Sequence, residues 1–437
     1  MADTIDLSAA LLRMGYTRPA PSNRYIAGFG DSRIFLSWSG SNGNDFLKTW
    51  GVMTWIQRYS GGSAACPVAY NGGVAGETTS DMLKRQAAFI TLLKANSVNL
   101  VVVWGSTNDR TQGMDIRDSQ RNLMDIVRNF QQNGIAVIVV SETPRGNGSS
   151  SYELSAAGKA DHYAMHVWIE TVLSQMCAVA NVWDRWINVG SGSLYYALTS
   201  VVRDGIHASK IGAQLAGMVL GPIVKAYCRG LPDMPESNVV YNATTNPRGS
   251  LTVNPQVAGT SGNINANCAP TAGSQLADGW GAELSGGSIS GLATTFSKTT
   301  LADTFTYQKV AVKGISTASQ TELSFFVDVP LASLANGDKV KAAGLIASEG
   351  VGISAVGLGL LLVPSYTQKL DGDESDPTLP YPSDNTGVLP FEGPILNYLT
   401  ATGHTLIRVR ITLTLTPSRD VNCSIWFRKV GAVKVAY

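Results

Sequence analysis

Four short segments of the chain contain residue types that together could catalyse acyl transfer: residues 30–33 (GDSR), 71–78 (NGGVAGET), 104–109 (WGSTND) and 204–209 (DGIHAS). Acyl transfer to a side-chain oxygen needs a hydroxyl nucleophile, a base that titrates near neutral pH, a group that orients this base, and donors for the developing oxyanion. The four segments supply one candidate for each role. Their combination predicts a serine nucleophile site.

Each role falls on a particular group. Ser32 would attack an ester carbonyl, and His207 would take its proton and later return it to the leaving alcohol. Asp204 would hold the ring nitrogen of His207 that faces away from the serine. The oxyanion would lie among the backbone N–H groups of Ser32 and Gly76 and the side-chain amide of Asn108.

Residues that flank these groups are candidates for contact with the substrate. They are Asp31, Arg33, Asn71 and Asp109. Taken singly, each segment is also a plain structural motif: Gly-Asp-Ser and Asp-Gly are common turns, and Asn-Asp can cap a helix. Their joint occurrence behind predicted strands favours the catalytic interpretation.

A parallel α/β sheet would bring the segments together. Apolar strands are predicted at residues 25–29, 68–70, 99–104, 135–140 and 181–184, with helices at 79–95, 117–133, 155–180 and 210–227. Three of the segments follow predicted strands, and the fourth precedes the last helix. Because ligands collect at the carboxyl ends of parallel strands, all four should meet at one edge of the sheet.

The amino-acid composition and the hydrophobic pattern of the chain change after about residue 230. Pro, Ser, Asn and Thr cluster around residues 231–250, and alternating strands rich in Gly, Ser and Thr follow. We therefore predict an N-terminal arm at residues 1–24, an α/β domain at 25–230, a linker at 231–250 and an all-β, jelly-roll-like sandwich at 251–437.

Composition excludes several classes of partner. The 437 residues carry 33 Lys and Arg against 32 Asp and Glu, so a net charge of +1 offers no field for nucleic acid or anionic membrane. The five cysteines include no C-x-x-C pair, which indicates buried thiols rather than a zinc site. The first residues lack the pattern of a signal peptide, so we expect synthesis in the cytosol.

Two patterns in the sequence could bind a metal ion, but a simpler interpretation is favoured for each. His162 and His166 have a spacing that can bind zinc on a helix, but no third ligand is evident and helix-surface residues are the favoured interpretation. Residues 371–376 (DGDESD) faintly resemble a calcium loop, yet the later glutamate is missing, which favours a solvated loop. Trp38, Trp50 and Trp55 could line an acyl or sugar pocket, although core packing is the default.

The four segments resemble the signature blocks of the SGNH (GDSL-like) hydrolase family, in the family's order, over residues 25–228. The name-giving Ser, Gly, Asn and His fall on Ser32, Gly76, Asn108 and His207. The resemblance implies a three-layer α/β/α, flavodoxin-like fold and ester hydrolysis without metal or cofactor. In this chain Arg33 replaces the usual leucine, and Ser106 stands where a shorter form of the third block has glycine.

The second half is similar to modules that accompany esterases in bacteriophage tail proteins, through its texture and the phrase ADGW at 277–280. That resemblance implies carbohydrate binding or a homotrimer, and a virion-associated or extracellular enzyme that removes O-acetyl groups from a bacterial surface polysaccharide. An ordinary cytoplasmic esterase is the alternative location. Competing functions are a lipid or thioester hydrolase and, from another class, a receptor-binding or structural tail protein with a vestigial hydrolase domain.

Overall fold

The computed structural model describes residues 24–41, 43–228, 230–246, 249–373, 376, 379–382 and 387–435. Within them the chain forms two compact units. The elements up to Leu231 are β1 (Ala27–Gly30), α1 (Ser32–Phe35), β2 (Trp38–Ser41), β3 (Asn44–Lys48), α2 (Val52–Tyr59), β4 (Asn71–Gly73), α3 (Thr79–Ala95), β5 (Leu100–Trp104), α4 (Thr107–Thr111), α5 (Ile116–Gln132), β6 (Ala136–Val140), α6 (Ala156–Thr171), β7 (Ala178–Ala180), α7 (Trp183–Trp186) and α8 (Lys210–Tyr227).

A five-stranded parallel sheet, in the order β4-β1-β5-β6-β7, forms the centre of the first unit. All five side chains of β5 (LVVVW) are buried. Because successive side chains of a strand point to opposite faces, both faces of the sheet must be covered. Helix α3 packs against α5, and α2 packs against α8. The predicted α/β domain with a parallel sheet is confirmed.

Close helix packing explains two glycines of α8. A Cβ atom at Gly217 would lie 2.3 Å from the Cβ of Trp55, and one at Gly221 would lie 2.5 Å from the Cβ of Tyr59. Only a residue without a side chain allows the two helix backbones to approach this closely. The apolar face of α2 is thereby held against α8, which follows directly on the predicted site segment 204–209.

The second unit is all β. Its further strands are β8 (Ser261–Ile264), β9 (Leu276–Gly286), β10 (Leu292–Thr300), β11 (Thr306–Ile315), β12 (Thr321–Val329), β13 (Lys339–Val351), β14 (Ile353–Val363), β15 (Thr367–Asp373), β16 (Leu389–Glu392), β17 (Leu396–Asn397), β18 (Leu406–Leu415) and β19 (Asp420–Lys434). One sheet has the order β10-β11-β19-β13-β16, with β17 beside β13, and the other the order β2-β3-β15-β14-β18-β12-β9-β8.

Aromatic rings join the two sheets of this unit. Phe427 of the first sheet lies 5.1 Å from Trp280 and 5.9 Å from Phe325 of the second, measured between ring centroids. Phe296 of the first sheet makes an edge contact with Phe325 at 5.9 Å. These buried rings fill the space between the sheets. The predicted β-rich domain with antiparallel sheets is confirmed, although β3 pairs with β15 and β8 with β9 in parallel.

The chain segment Ser39–Thr49 belongs to the second unit, although residues on both sides of it belong to the first. Strand β3 pairs with β15 so that Asp45 lies opposite Lys369, and the two side chains form an ion pair. The second unit resumes at Pro232, and Asp233 accepts a hydrogen bond of 2.8 Å from Lys341. This division differs from the continuous domain predicted at 25–230 and from the linker predicted at 231–250.

Two predicted strands are displaced. Residues 68–70 form a 3-10 turn, and the strand is β4, whose glycines looked like a turn in the sequence. Gly72 is required there because a Cβ atom would lie 2.6 Å from the Cζ of Phe89. Residues 181–184 lead into α7, and the strand is β7, inside the segment predicted as the end of a helix at 155–180. Helix α6 ends at Thr171, before a single 3-10 turn at Leu173–Gln175.

Several other expectations concern absences or the chain ends. The predicted arm at residues 1–24 lies outside the described residues except for Arg24, and the acidic segment 371–376 lies only partly within them. All five cysteines are buried. In the described part of the chain, no helix is long and apolar enough to cross a membrane, and no cluster of three or more His, Cys, Asp or Glu side chains is arranged to hold a metal ion.

Candidate active site

Ser32 is the first residue of α1. Strand β1 ends at Gly30, and Asp31, which lies between the two elements, caps the helix. The Asp31 side chain accepts the backbone N–H of Arg33 at 2.9 Å, which begins the helix. Gly30 is required for the turn, since a Cβ atom there would lie 2.0 Å from the carbonyl oxygen of Trp104. The sharp turn places the Ser32 hydroxyl at the carboxyl end of β1.

Three predicted residues form a continuous hydrogen-bonded chain. The Oγ atom of Ser32 lies 2.8 Å from Nε2 of His207, although the residues are 175 apart in sequence. On the far side of the ring, Nδ1 lies 2.7 Å from Oδ2 of Asp204. Because an ionised carboxylate only accepts hydrogen bonds, Nδ1 carries the proton and Nε2 accepts from the serine hydroxyl. The tautomer is the one that a general base requires.

The environment of Asp204 keeps it ionised. Burial raises the pKa of this carboxyl, but the hydrogen bonds from the side chain and backbone of His207 outweigh burial and lower the pKa to about 2. The backbone N–H groups of His207 and Ile206 donate to its Oδ1 at 2.8 Å and 3.1 Å. The turn is closed by Gly205, whose φ of +93° is a conformation that favours glycine. Asp204 and His207 are therefore held by one tight local turn.

The candidate oxyanion donors Gly76 and Asn108 are joined through a shared loop. Gly76 has a φ of +80°, and nothing lies within 4 Å of the position of a Cβ atom. One N–H of the Asn108 side chain donates to the carbonyl oxygen of Glu77 at 2.9 Å. The side chain of Gln112 donates to the carbonyl oxygen of Gly76 at 3.2 Å. Since an amide has two N–H donors, Asn108 can brace this loop and still serve an oxyanion.

The four residues predicted to contact substrate all have structural partners. Asp31 is fully buried, and its two oxygens accept from Nε and Nη2 of Arg33 at 3.1 Å and 2.8 Å. Asn71 donates to the carbonyl oxygen of Phe35 at 3.2 Å and accepts from the N–H of Gly73. These bonds tie α1 to β4.

Asp109 is likewise occupied within the fold. It is fully buried and accepts from the N–H and the hydroxyl of Thr79 at 2.8 Å and 2.7 Å. Burial raises the pKa of this carboxyl, while its hydrogen bonds oppose that shift. Asp109 therefore caps the start of α3, and its two oxygens serve the fold.

Glu142 is a central residue that the sequence analysis missed. It lies two residues after the end of β6 and is fully buried. Nη1 of Arg33 donates to its Oε2 at 2.8 Å, and the hydroxyl of Ser106 donates to its Oε1. Burial raises the pKa of Glu142, but attraction to Arg33 and His162, together with the hydrogen bonds from Arg33 and Ser106, outweighs burial and lowers it. Its carboxylate thus joins the turn of the nucleophile to the segment that carries Asn108.

The burial of Arg33 explains why this side chain needs an acidic partner. Arg33 is only 5% exposed, and a buried guanidinium requires carboxylates or carbonyl groups around it. Glu142 supplies one of these carboxylates from beyond the end of β6, a strand that β5 separates from β1 in the sheet. The arginine therefore does not add an unbalanced charge beside the nucleophile, since Asp31 and Glu142 both pair with it.

The two histidines of α6 face the interior of the first unit. His162 places Nε2 2.8 Å from the carbonyl oxygen of Thr143, so this nitrogen donates, and burial lowers the pKa of the ring. His166 stacks on Trp183 with ring centroids 4.5 Å apart, and burial lowers its pKa to about 4. Both are buried, so the prediction that they lie on the helix surface is wrong.

This chain is similar to many solved structures, among them the following three. A lipase/acylhydrolase from Enterococcus faecalis is 19% identical, with a TM-score of 0.37, and the match covers 47% of this chain and 98% of that one. A member of the lipolytic G-D-S-L family from Veillonella parvula DSM 2008 is 16% identical, with a TM-score of 0.31 and coverage of 44% and 93%. A mutant acetyl-xylooligosaccharide esterase from Geobacillus Stearmophilus is 14% identical, with a TM-score of 0.34 and coverage of 48% and 96%.

No curated protein matches the chain. The family comparison covers the part of the chain that contains the Ser32, His207 and Asp204 cluster. Residues 27–215, which form most of the first unit, match the GDSL-like Lipase/Acylhydrolase family.

Proposed function

We propose that this protein is a serine ester hydrolase that works through an acyl-enzyme. In the first step Ser32 Oγ attacks the ester carbonyl while its proton passes to Nε2 of His207. The imidazolium, stabilised by Asp204, then gives this proton to the leaving alcohol. In the second step His207 takes a proton from water, the hydroxide oxygen attacks the acyl carbon, and the proton returns to Ser32 as the acid leaves.

One observation carries this proposal. The hydroxyl of Ser32, the ring of His207 and the carboxylate of Asp204 are linked at 2.8 Å and 2.7 Å with the tautomer that catalysis needs. If these segments were only structural turns, a hydroxyl and an imidazole that are 175 residues apart in sequence would have no reason to meet at hydrogen-bond distance. The match of residues 27–215 to an acylhydrolase family supports the same reaction class.

The proposed oxyanion donors are the N–H of Ser32, the N–H of Gly76 and the side chain of Asn108. Ser32 is the first residue of α1, and N–H groups in the first turn of a helix have no partner within the helix. Each donor of this kind contributes roughly 3 kcal/mol to the transition state. Asn108→Ala should therefore lower kcat by about a hundredfold while leaving KM nearly unchanged.

We further propose that the substrate is an O-acetyl group on a bacterial surface polysaccharide. Support comes from the resemblance of residues 277–280 and their surroundings to modules of phage tail proteins. On this proposal the β-rich unit binds glycan or forms a trimer. The enzyme is then part of a virion or works outside the cell. Acylated carbohydrate is then the partner, with no nucleic acid, membrane or cofactor.

The reaction is tested with wild type, Ser32→Ala and the surface variant Ser193→Ala. Acetate release from acetylated sugars, and hydrolysis of short and long p-nitrophenyl esters, should fall by at least about a thousandfold in Ser32→Ala only. A fluorophosphonate should label Ser32 in the wild type, as seen by mass spectrometry of the modified peptide. Equal rates in all three proteins would remove Ser32 from the mechanism, and a preference for long acyl chains would favour a lipid hydrolase.

The role proposed for the β-rich unit needs a separate measurement. Full-length Ser32→Ala, which should bind substrate without turnover, is passed over immobilised acetylated polysaccharide, and its mass is measured by sedimentation. Retention on the glycan or a trimeric mass is expected. A monomer that is not retained would contradict both roles of this unit.

A further inference from the structure

A braced loop lies beside the triad. Residues 146–151 (GNGSSS) run from Arg145 to Tyr152 and pack on the turn that carries Asp204. The hydroxyl of Ser150 donates to the carbonyl oxygen of Asp204 at 2.7 Å, and the N–H of Gly146 donates to that of Gly205 at 2.7 Å. The loop and the catalytic turn are therefore held as one piece.

Two charged side chains fix the ends of this loop. Glu153 accepts the N–H groups of Asn147 and Gly148, both at 2.8 Å, and pairs with Lys159 at 3.1 Å. Arg145 is 4% exposed and donates from Nε to the carbonyl oxygen of Tyr152 at 2.8 Å.

The same guanidinium also reaches the segment that carries Asn108. Nη1 of Arg145 donates to the carbonyl oxygen of Thr107 at 2.8 Å, and Nη2 donates to the hydroxyl of Thr111 at 2.8 Å. Arg145 thus positions Tyr152 relative to the candidate oxyanion donor.

This scaffold presents the Tyr152 ring at the catalytic base. The ring meets that of His207 edge-on, with centroids 5.7 Å apart and an interplanar angle of 83°. Tyr152 is nevertheless 39% exposed. The exposed part of this aromatic side chain leaves surface for a ligand next to the imidazole.

The chemistry of the base defines which part of a substrate reaches this ring. Nε2 of His207 must donate its proton to the oxygen of the leaving alcohol, so that oxygen comes within about 3 Å of the nitrogen. The carbon skeleton of the alcohol then begins beside the imidazole, within reach of a ring whose centroid is 5.7 Å away. The acyl group is held on the other side of the reacting carbon, near the oxyanion donors.

We propose that Tyr152 is a stacking platform for a carbohydrate ring that carries the ester, which is to say a subsite for the leaving alcohol. A pyranose has an apolar C–H face that packs on an aromatic face, and hydroxyl groups at its edge that need polar neighbours. The loop of residues 146–151 that precedes Tyr152 contains only Gly, Asn and Ser, so it supplies polar groups for a sugar and no aliphatic side chain for a lipid alcohol. This subsite rests on the proposed esterase function.

The test compares two acetate esters that share the acyl group and differ in the alcohol. One is an acetylated monosaccharide and the other is methyl acetate, whose methanol is too small to cover the ring. In Tyr152→Ala and Tyr152→Leu, kcat/KM for the acetylated sugar should fall by about five- to tenfold, with less than about a twofold change for methyl acetate. Tyr152→Phe should retain the wild-type ratio because it keeps the ring.

Tyr163→Ala is the matched control, since Tyr163 is 36% exposed in the same unit and contacts Tyr195 and Trp183 instead of the triad. It should leave the ratio of the two substrates unchanged. Equal losses on both esters in Tyr152→Ala would mean that the ring only orients His207, and no loss would mean that it contacts no alcohol. Either result overturns the subsite, whereas loss of all activity in Ser32→Ala would leave the esterase proposal intact.

Discussion

Asp204 does two things for His207 that an uncharged residue of the same shape would not do together. Its Oδ2 accepts from Nδ1 of the imidazole, which fixes the tautomer, and in the proposed mechanism its negative charge stabilises the imidazolium that forms when Ser32 loses its proton. Its Oδ1 meanwhile accepts two backbone N–H groups and shapes the turn. Separation of these effects requires a variant that preserves shape and removes charge.

Asp204→Asn is this variant, and kcat should fall by about three to four orders of magnitude with little change in KM. The amide can donate to Nδ1, which moves the ring proton to Nε2 and prevents it from accepting the serine proton. Steady-state kinetics on a p-nitrophenyl ester measure the effect, and Asp161→Asn on the exposed face of α6 is the control. Activity within tenfold of wild type would show that orientation by the carboxylate is unimportant.

Arg33 has a different kind of importance, because three buried charges depend on one another. The side chains of Arg33 and Glu142 are 2% and 0% exposed, and Asp31 is equally buried. Arg33→Leu, which restores the residue usual in the resembled family, would leave two carboxylates without their guanidinium. We expect the free energy of unfolding to fall by about 3–5 kcal/mol in urea titrations.

A double variant distinguishes lost charge pairing from lost packing. In Arg33→Leu/Glu142→Gln one of the stranded charges is removed, so part of the lost stability should return and the two substitutions should not be additive. Additive losses would contradict a charge network. Full activity in Arg33→Leu would also show that this network is unnecessary for placing Ser32.

Protonation of Glu142 should contribute to unfolding in acid. Its pKa in the folded protein lies below the ordinary 4.5, so it stabilises the fold fully above about pH 4.5. This contribution is lost as the pH falls through the lower, folded pKa. Melting temperatures from pH 7 to pH 3 should therefore decrease less steeply in Glu142→Gln than in wild type. Parallel curves would contradict the lowered pKa.

At the scale of elements, the turn between β5 and α4 combines an unfavourable backbone with a favourable side chain. Ser106 has a φ of +103°, a conformation that favours glycine, and its hydroxyl donates to Glu142. This hydrogen bond gives a physical reason for serine at a position where the resembled family's shorter motif has glycine. Two substitutions separate the two effects.

Ser106→Gly and Ser106→Ala both remove the hydroxyl, but only alanine keeps a side chain at the positive φ. Ser106→Gly should therefore be more stable than Ser106→Ala by roughly 1 kcal/mol, with both less stable than wild type. Thermal unfolding of the three proteins is the measurement, and each variant serves as the control for the other. If the alanine variant were the more stable of the two, the backbone would not be strained at this position.

The elements with strong local signals were predictable from sequence. Helix α3 has the predicted bounds, because Thr78 and Asp81 form a capping box at its start. Helix α8 also has the predicted bounds, and Ser209 caps it. The residues proposed to be catalytic could be identified in the sequence because each lies in a short motif behind a strand or before a helix. By contrast, β4 (NGG) has no apolar pattern, and its pairing with β1 brings Gly72 so close to Phe89 and to the carbonyl oxygen of Gly28 that a Cβ atom would clash.

The interactions that could not be predicted join distant segments. Glu142 lies in a polar loop, where nothing nearby in sequence indicates that Arg33 and Ser106 will surround it. In the same way β3 is a short polar strand whose partner β15 follows more than 300 residues later, so no local pattern identifies its sheet. Local sequence determines caps and turns, whereas such pairings are determined by tertiary packing.

At the scale of the whole molecule, the chain passes three times between its two units: after Trp38, after Thr49 and after Leu231. Within segment 39–49, strand β3 pairs with β15 of the second unit, and Asp45 forms its ion pair with Lys369 of that unit. A first unit produced alone would carry two strands without their sheet. Unpaired strands of this kind promote aggregation.

Two shortened chains test this dependence against the full-length protein. Residues 24–231 alone should aggregate or unfold at a lower urea concentration than the same unit in the full chain. The same piece with 39–49 replaced by a short Gly-Ser linker should recover solubility, because it no longer carries the two unpaired strands. It should also hydrolyse methyl acetate, because it keeps Ser32, Asn108, Asp204 and His207. If both pieces were equally soluble and active, segment 39–49 would contribute nothing to the first unit's need for the second. If neither piece folded, the first unit would depend on the second through more than segment 39–49.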